Sequence, residues 1–452
     1  MNSTRNAARS ITLISPAADY DIELRDNRRN SPLLSLQRMP RLGLLTLEGL
    51  TPPDWEVTLI DERVDPVLPQ RIESSLIGIS AMTSQAPHAF DLARQFKALG
   101  KTVVMGGYFP SLSPDLALQN PNIDSIVVGR AEVAWPKVLE DFKRGQLKRL
   151  YQYNSLENGF KLPPMNYSLC SPEHGYNGYF TQIQSMLGCK FKCKFCSIPQ
   201  FHGGAFVFRD MDDLVEEFEN APTQRIALID DNLINSSAYL NTLCDRIEPL
   251  KKQWSAQVSM DVRGSRKLIK KMARAGCYWV HLGVESLDAA TLQEQKKRQN
   301  DVAKYMETFK MFRDEGISVS TGIILGFPSD SRHVFERTQN FLNSAPLDAV
   351  SFHFYTCYPG YPEYRKLDEA GLLITRNFAH YDTYHPVVKT ENFTTEELID
   401  NLEALKHEFY RPRQLIGRAT KGFLNGYPGV GRALAVGTMG HLNSRKGLPI
   451  YL

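Results

Sequence analysis

The chain has 452 residues, 42% of them hydrophobic and 23% charged, which suits a globular protein too long for one ordinary core and leaves room for two or three domains. A net charge of +3 and no long run of Lys or Arg argue against a nucleic-acid partner. No stretch of about 18 apolar residues could span a membrane, and the N-terminal "ITLI" is too short for a secretory signal and reads better as a buried strand, so a cytoplasmic location is expected.

The first 150 residues alternate short apolar runs with helical patterns. "ITLIS" (11–15) reads as a strand, "RLGLLTLEGL" (41–50) as a helix and "EVTLIDE" (56–62) as a strand ending on acids. "LIGIS" (76–80) is a buried strand, and "APHAFDLARQFKALG" is a helix that Gly100 ends. "TVVMGGYFP" (102–110) and "SIVVGRAE" (125–132) are further strands. This alternation predicts a doubly wound parallel sheet, Rossmann-like, over 1–150. Ligands bind such sheets beyond the carboxyl ends of the strands. Those ends carry Ser15–Pro16, Asp61, Ser80–Gln85, Gly106, Gly107 and Gly129. There is no G-x-G-x-x-G after the first strand, so a dinucleotide is a poor fit.

A polar linker is expected over 151–179. The alternation restarts at "FTQIQSML" and continues through "RIALIDDN" (225–232), "SAQVSMDV" (255–262), "WVHLGVES" (279–286), "VSTGIILGF" (319–327) and "DAVSFHFYTCYPG" (348–360), with helices such as "MDDLVEEFEN" between them. About six βα units predict a partial (β/α)6 TIM-type barrel over 180–380, with its site at the strand C-terminal ends. A mainly helical region is expected over 381–452, opening on a Thr cap in "TTEELIDNLEALKHEF". The Gly-rich "GFLNGYPGVGRALAVGTMGHLN" there has no chemistry legible from its letters.

Three of the seven cysteines crowd into "GCKFKCKFC": Cys189, Cys193 and Cys196. In a reducing compartment such crowding suggests metal ligation or catalysis, not a disulfide frame. Zinc sites commonly add a second pair of ligands, but Cys170, Cys244, Cys277 and Cys357 are isolated. His202 could be a fourth zinc ligand, although "FHGG" is more simply a turn. Three thiolates without a protein fourth suit a [4Fe–4S] cluster with one open iron.

"GCKFKCKFCSIP", with Phe195 before the third cysteine, resembles the C-x-x-x-C-x-Φ-C signature of radical S-adenosylmethionine (radical SAM) enzymes. The resemblance implies that the three cysteines hold the cluster and that its fourth iron chelates S-adenosylmethionine, whose cleavage yields a 5′-deoxyadenosyl radical. It places "LIDDN" (Asp230, Asp231, Asn232) near the cofactor's amino group. "GVES" (Glu285, Ser286) would lie near its ribose or carboxylate, and "TGIILGFP" (Ile323, Leu325, Gly326) by its adenine. Gln257, Ser259 and Asp261 are further candidates on the third strand. The N-terminal domain is similar to the cobalamin-binding (B12-binding) class. Its Asp-x-His-x-x-Gly motif is absent, so Met82, Thr83, Ser84 and Gln85 would face cobalt's lower side without a histidine. Gly106, Gly107 and Tyr108 would border the nucleotide tail, and Gly129 is a further cofactor-binding candidate.

The chain order most resembles the hopanoid C-methylase-like branch. It implies a C-methyltransferase that passes the methyl of methylcobalamin to a substrate carbon radical, and no catalytic side chain is assigned. The expected partners are a small-molecule, lipid-like or natural-product substrate and a reductant such as flavodoxin or ferredoxin. The alternative is a cyclase, ring-rearranging enzyme or oxidase that uses the same cofactors without methyl transfer. His353, Tyr355, Tyr358 and Tyr361 are candidate pocket residues.

Overall fold

The computed structural model describes residues 9–18, 21–22, 39–153, 159–176, 178–424, 427 and 430–445. Parts of the expected linker (154–158 and 177) and of the Gly-rich tail lie outside the described residues.

Six strands form the first sheet: β1 (Arg9–Ser15), β2 (Trp55–Asp61), β3 (Leu76–Ser80), β4 (Thr102–Gly106), β5 (Ser125–Gly129) and β6 (Leu150–Tyr153). All pairs are parallel, in the order β2-β1-β3-β4-β5-β6. The order reverses between β1 and β3, and this switch point is where a doubly wound sheet opens a crevice. The central strands are apolar throughout because both faces are covered. Ile77, Ile79, Val103 and Met105 meet the helix Ala86–Ala98, while Leu13, Val104 and Val127 share the other face with Leu44 of helix Leu42–Leu50 and Trp135 of helix Ala131–Lys143. The segment expected to begin a linker at Tyr151 instead belongs to β6, an edge strand in which Tyr151 alone is buried. One buried side chain in four residues leaves no periodicity to detect.

The second sheet runs β14-β13-β12-β11-β10-β7, all parallel and in chain order. Its strands are β7 (Thr181–Ile183), β10 (Arg225–Leu228), β11 (Gln253–Val258), β12 (Cys277–Glu285), β13 (Ser318–Leu325) and β14 (Ala349–Phe354). No pairing joins β14 to β7, so the barrel is open. The expected single strand in "FTQIQSML" splits: β7 enters the barrel, and β8 (Met186–Gly188) pairs antiparallel with β9 (Phe206–Phe208) outside it. The cysteines sit on the excursion between β8 and β9. Gly188 at φ +79° makes the closure possible, since a Cβ there would lie 2.1 Å from the Ala205 carbonyl oxygen.

Thr394 caps the helix Thr395–Phe409 in a reciprocal box with Glu397. The Tyr410 hydroxyl donates to the Val350 carbonyl at 2.8 Å and fastens that helix to β14. Helix Val430–Arg445 then crosses closely: a Cβ on Gly437 or Gly440 would stand 2.3 Å from Leu415 or Tyr410. Close helix packing thus accounts for two glycines of the tail.

The two sheets meet with their strand C-terminal ends facing. Leu112 and Tyr108 of the first domain share an apolar cluster with Phe327, Tyr355, Tyr361 and Tyr381 of the second. Across the same junction Ser113 Oγ donates to the Pro359 carbonyl at 2.8 Å.

Candidate functional site

The cysteine loop is held from two sides. The Lys190 N–H donates to Asn235 Oδ1 at 3.0 Å, and the Lys194 N–H donates to the Gln295 carbonyl at 3.0 Å. The Lys190 ammonium pairs with Asp261 at 2.7 Å, so this lysine braces the loop. All three cysteines are free thiols. Side-chain amides reach two of the sulfurs: Asn232 Nδ2 donates to Cys189 Sγ and Gln299 Nε2 to Cys193 Sγ, each at 3.7 Å. Burial raises the thiol pKa of Cys189 and Cys193 and pushes that of Cys196 up to about 12. Among the described residues no group of three His, Cys, Asp or Glu side chains is arranged around a single metal ion. A four-iron cluster spreads its thiolates over separate irons, so a looser set of three suits it.

Lys297 lies under this loop. Its Nζ is 2.8 Å from Glu285 Oε1, with side chains only 10% and 14% exposed. Burial alone would drive the ammonium pKa down, but Glu285, Cys193 and Cys196 outweigh it and hold the pKa above the ordinary value. Glu285 has φ +65° at a register shift between β12 and β13, a conformation that costs a non-glycine residue about 1–3 kcal/mol. The bend aims the carboxylate at Lys297. Phe195 packs edge-on to Phe327, and Lys297 Nζ lies 5.6 Å from its ring centroid. Neither Lys297 nor Gln299 was singled out from the sequence. They fall in "QKKRQN", a run with the look of a solvated loop, and only the fold shows that Lys297 and Gln299 are buried while Lys296 and Arg298 are exposed.

The acids after β10 divide their work. Asp230 is 3% exposed and turned inward, accepting from the Ser185 N–H (2.7 Å), Ser185 Oγ (2.5 Å) and the Met186 N–H (3.0 Å). It braces the β7–β8 connection. Asp231 accepts from the Gly188 N–H at 2.7 Å through Oδ2, and its Oδ1 makes no hydrogen bond among the described residues. Asn232 Oδ1 accepts from the Ser259 N–H at 3.1 Å. Ser286 Oγ accepts from the Asp288 N–H at 3.1 Å and stands at the end of the bulged strand. Gln257 lies on β11, while Ser259 Oγ donates to Asp261 just beyond that strand.

Burial raises the Asp230 pKa to about 7 and that of Asp231 to about 6. The sign for Asp230 follows. Between pH 4 and 7 the folded chain keeps a proton that the unfolded chain releases, so stability falls by about 1.4 kcal/mol per pH unit as pH rises. Asp230→Asn keeps an acceptor for the two N–H groups and lacks that slope. Urea denaturation at pH 5 and pH 7 is expected to shift the stability difference in the variant's favour by about 2–3 kcal/mol. Equal pH dependence in both proteins would refute this.

β13 divides its residues between two faces. Ile323 and Leu325 are 1% exposed and belong to the core between strands and helices. Alternation along the strand leaves Gly322 and Ile324 on the other face, Ile324 packing against the cluster at the domain junction. Gly326 ends the strand at φ +79°, its N–H donating to Asp330 Oδ2 at 2.8 Å.

Two cavities open at the junction. One, of about 150 Å³, is lined by Met82, Thr83, Ser84 and Gln85 from the first domain and by Ser197, Tyr358, Tyr381 and Asp382 from the second. Gln85 is 3% exposed and spans the switch point, donating to the Pro16 carbonyl at 2.6 Å. The other, of about 220 Å³, lies between helices Leu42–Leu50 and Ala131–Lys143. Gly106, Gly107, Tyr108 and Gly129 line it together with Gly78, Arg130, Trp135 and His202. Tyr108 borders both cavities and stacks on Phe201 at 4.4 Å, joining the sheet to the cysteine loop. Of the expected pocket residues only Tyr358 lines either of these two cavities. Tyr355 and Tyr361 are buried in the junction cluster, and His353, bonded to Thr383 Oγ1 at 2.9 Å, is pushed by burial down to about 4 and is neutral at pH 7.

Two family models match the chain: "B12 binding domain" over residues 35–139 and "Radical SAM superfamily" over residues 183–342. The chain is 26% identical over 388 residues to the bacteriochlorophyllide d C-12(1)-methyltransferase of Chlorobaculum tepidum, covering 83% of this chain and 84% of that protein. It is 23% identical over 351 residues to the hopanoid C-2 methylase of Rhodopseudomonas palustris, covering 74% and 66%. Its fold matches the radical S-adenosylmethionine methyltransferase TsrM of Kitasatospora setae, solved with cobalamin and a [4Fe–4S] cluster bound. The TM-score is 0.66 at 13% identity, covering 97% of this chain and all of that one. No helix among the described residues is long and apolar enough to cross a membrane.

Proposed function

We propose, for a chain that carries a B12 binding domain followed by a radical SAM domain, that it is a cobalamin-dependent methyltransferase acting on a carbon of a small or lipid-like molecule. One observation carries this reading: Ser197, Phe201 and His202, just beyond the cysteines, line the same cavities as the strand ends of the doubly wound sheet. Relatives that methylate bacteriochlorophyllide and hopanoids support carbon as the acceptor and a large apolar ring system as the substrate class.

When bound, a [4Fe–4S] cluster with S-adenosylmethionine supplies a hydrogen-abstracting radical, and cobalamin supplies the methyl. The chain's own residues hold and orient. Cys189, Cys193 and Cys196 are the cluster ligands, and the amides of Asn232 and Gln299 donate to two of the sulfurs. Asp231 Oδ1 is the acceptor placed for an ammonium group, with Asp230 behind it as a brace. Glu285 and Lys297 present an ordered ion pair at the third side of the loop. Met82–Gln85 would lie against a bound corrin, and no histidine among the described residues lines that cavity. His88 is instead engaged with Glu62 at 2.7 Å. The apolar junction of Tyr355, Tyr361, Phe327 and Tyr381 excludes water from the shared space.

We place the end of the first domain after β6 at 153, the barrel at 180–380 and the helical region at 381–452, and the protein in the cytoplasm with a flavodoxin or ferredoxin as electron donor. The test uses anaerobically reconstituted protein with cobalamin, S-adenosylmethionine and a reductant, offered bacteriochlorophyllide d or a hopanoid. Expected products are 5′-deoxyadenosine, S-adenosylhomocysteine and a substrate heavier by one methyl. 5′-Deoxyadenosine without the other two would favour the cyclase, rearrangement or oxidase reading.

A further inference from the structure

The apolar side chains that the fold leaves most exposed gather on one helix face. Among the described residues Phe423 and Leu424 are each 77% exposed and Ile416 is 63% exposed, more than any other large apolar side chain. All three belong to the helix Pro412–Leu424. Spacings of seven and eight positions stack them on one side of it. The other side carries Leu415 and Gly422, both buried, with Leu415 at the close crossing of Gly437. This helix therefore already has its partner within the fold, and the exposed stripe is a second apolar face. Thr420 lies on that stripe, and its hydroxyl donates to the Ile416 carbonyl at 2.9 Å, so it does not depend on water for a partner. The helix Val430–Arg445 repeats the arrangement. Leu434 and Leu442 are exposed one turn to either side of Thr438, whose hydroxyl donates to the Leu434 carbonyl at 2.8 Å.

The charge around the stripe has one sign. From Phe409 to Leu452 the sequence holds seven Lys or Arg and no Asp or Glu, whereas the residues before Phe409 hold 46 Lys or Arg against 50 Asp or Glu. Arg411 pairs with Glu408 at 2.5 Å, and the Arg418 guanidinium lies 3.8 Å from the Phe409 ring centroid, so these two cations serve the fold. Arg413 and Lys421 are exposed, three positions before Ile416 and two before Phe423. A second copy of this face would set like charges against each other, which disfavours self-association. A short helix with Phe, Leu and Ile on one side, cations beside them and no acid nearby has the form that lies in the headgroup layer of a negatively charged bilayer.

We propose that the helix Pro412–Leu424 docks the protein on an anionic lipid surface. Ile416, Phe423 and Leu424 enter the acyl boundary, and Arg413 and Lys421 meet the lipid phosphates. At 13 residues the helix lies on the bilayer and does not cross it. The inference is independent of the cofactor reading and holds whatever the barrel catalyses.

The test mixes the full-length protein with vesicles of phosphatidylcholine alone, or of phosphatidylcholine with about one-third phosphatidylglycerol, and reads bound protein by flotation. The wild type is expected to bind the anionic vesicles about 10-fold or more tightly than the neutral ones. Arg413→Gln/Lys421→Gln should weaken binding to the anionic vesicles by about 10- to 30-fold and leave the neutral ones nearly unchanged. Phe423→Ser/Leu424→Ser should weaken binding to the anionic vesicles by about 10- to 100-fold. All four side chains are exposed, so both variants should melt with the wild type, which separates lost docking from lost fold. Equal wild-type binding to the two vesicles, or variants that bind as the wild type does, would overturn the assignment. So would a wild-type dimer that Phe423→Ser/Leu424→Ser dissociates, which gives the face to a second copy. Absence of binding to either vesicle would overturn it as well and give the face to a protein partner.

Discussion

Cys193→Ala is expected to take the reconstituted protein from about four irons per chain to essentially none, and 5′-deoxyadenosine formation to background. Cys193 is the middle of three thiols on one loop, and 8% of it is exposed. Two remaining thiolates would leave two irons of a four-iron cluster without protein ligands. Burial holds all three thiols protonated at neutral pH in the metal-free chain. Metal must therefore displace those protons, and assembly is expected to release protons and to proceed faster toward alkaline pH. The alanine variant should otherwise fold normally. Removing one sulfur from the metal-free loop changes stability by about 1 kcal/mol at most, since no disulfide is lost. Iron analysis and the 400-nm-region absorbance decide the first point, and a melting curve of the metal-free protein decides the second. Retention of iron by a folded variant would remove the cluster from these cysteines.

The second large effect concerns the buried ion pair. Lys297→Met is expected to destabilise the metal-free protein by about 3–5 kcal/mol, because it strands the Glu285 carboxylate inside the barrel. The double variant Lys297→Met/Glu285→Gln should recover most of that loss, giving a coupling that single substitutions cannot show. Glu285→Gln alone leaves a buried ammonium and should cost a comparable amount. A second readout separates support of the fold from service to the cluster. Loss of a cation beside an anionic cluster disfavours the added electron, so the Lys297→Met cluster should have a more negative reduction potential, and the double variant, which also loses the Glu285 charge, should move less. Additive single and double variants would show that the two charges act independently. An unchanged potential would make Lys297 a structural residue only.

The site was legible where chemistry is local in the chain. Cys189, Cys193 and Cys196 fall within eight positions, and Phe195 between them completes a pattern no ordinary core requires. The partners that shape their environment are far away in sequence: Gln299 bonds Cys193 across 106 positions and Asn232 bonds Cys189 across 43. No periodicity marks such contacts. The acids after β10 show the same limit. "LIDDN" announces acceptors, yet only the hydrogen bonds from Ser185 and Met186 show that Asp230 is committed to the backbone while Asp231 keeps an open oxygen.

The sequence by itself determined the alternation of strands and helices, the order of the two domains and the identity of the three thiols. All depend on apolar period or on neighbours within a few positions. Only the tertiary structure decided which side of β13 faces its helices, that Tyr151 joins the first sheet, and that Lys297 and Gln299 are buried beside the cysteine loop. A strand apolar on both faces does not say which face is inward. A charged residue in a loop is buried only if another part of the chain folds over it and supplies its counter-charge or ligand.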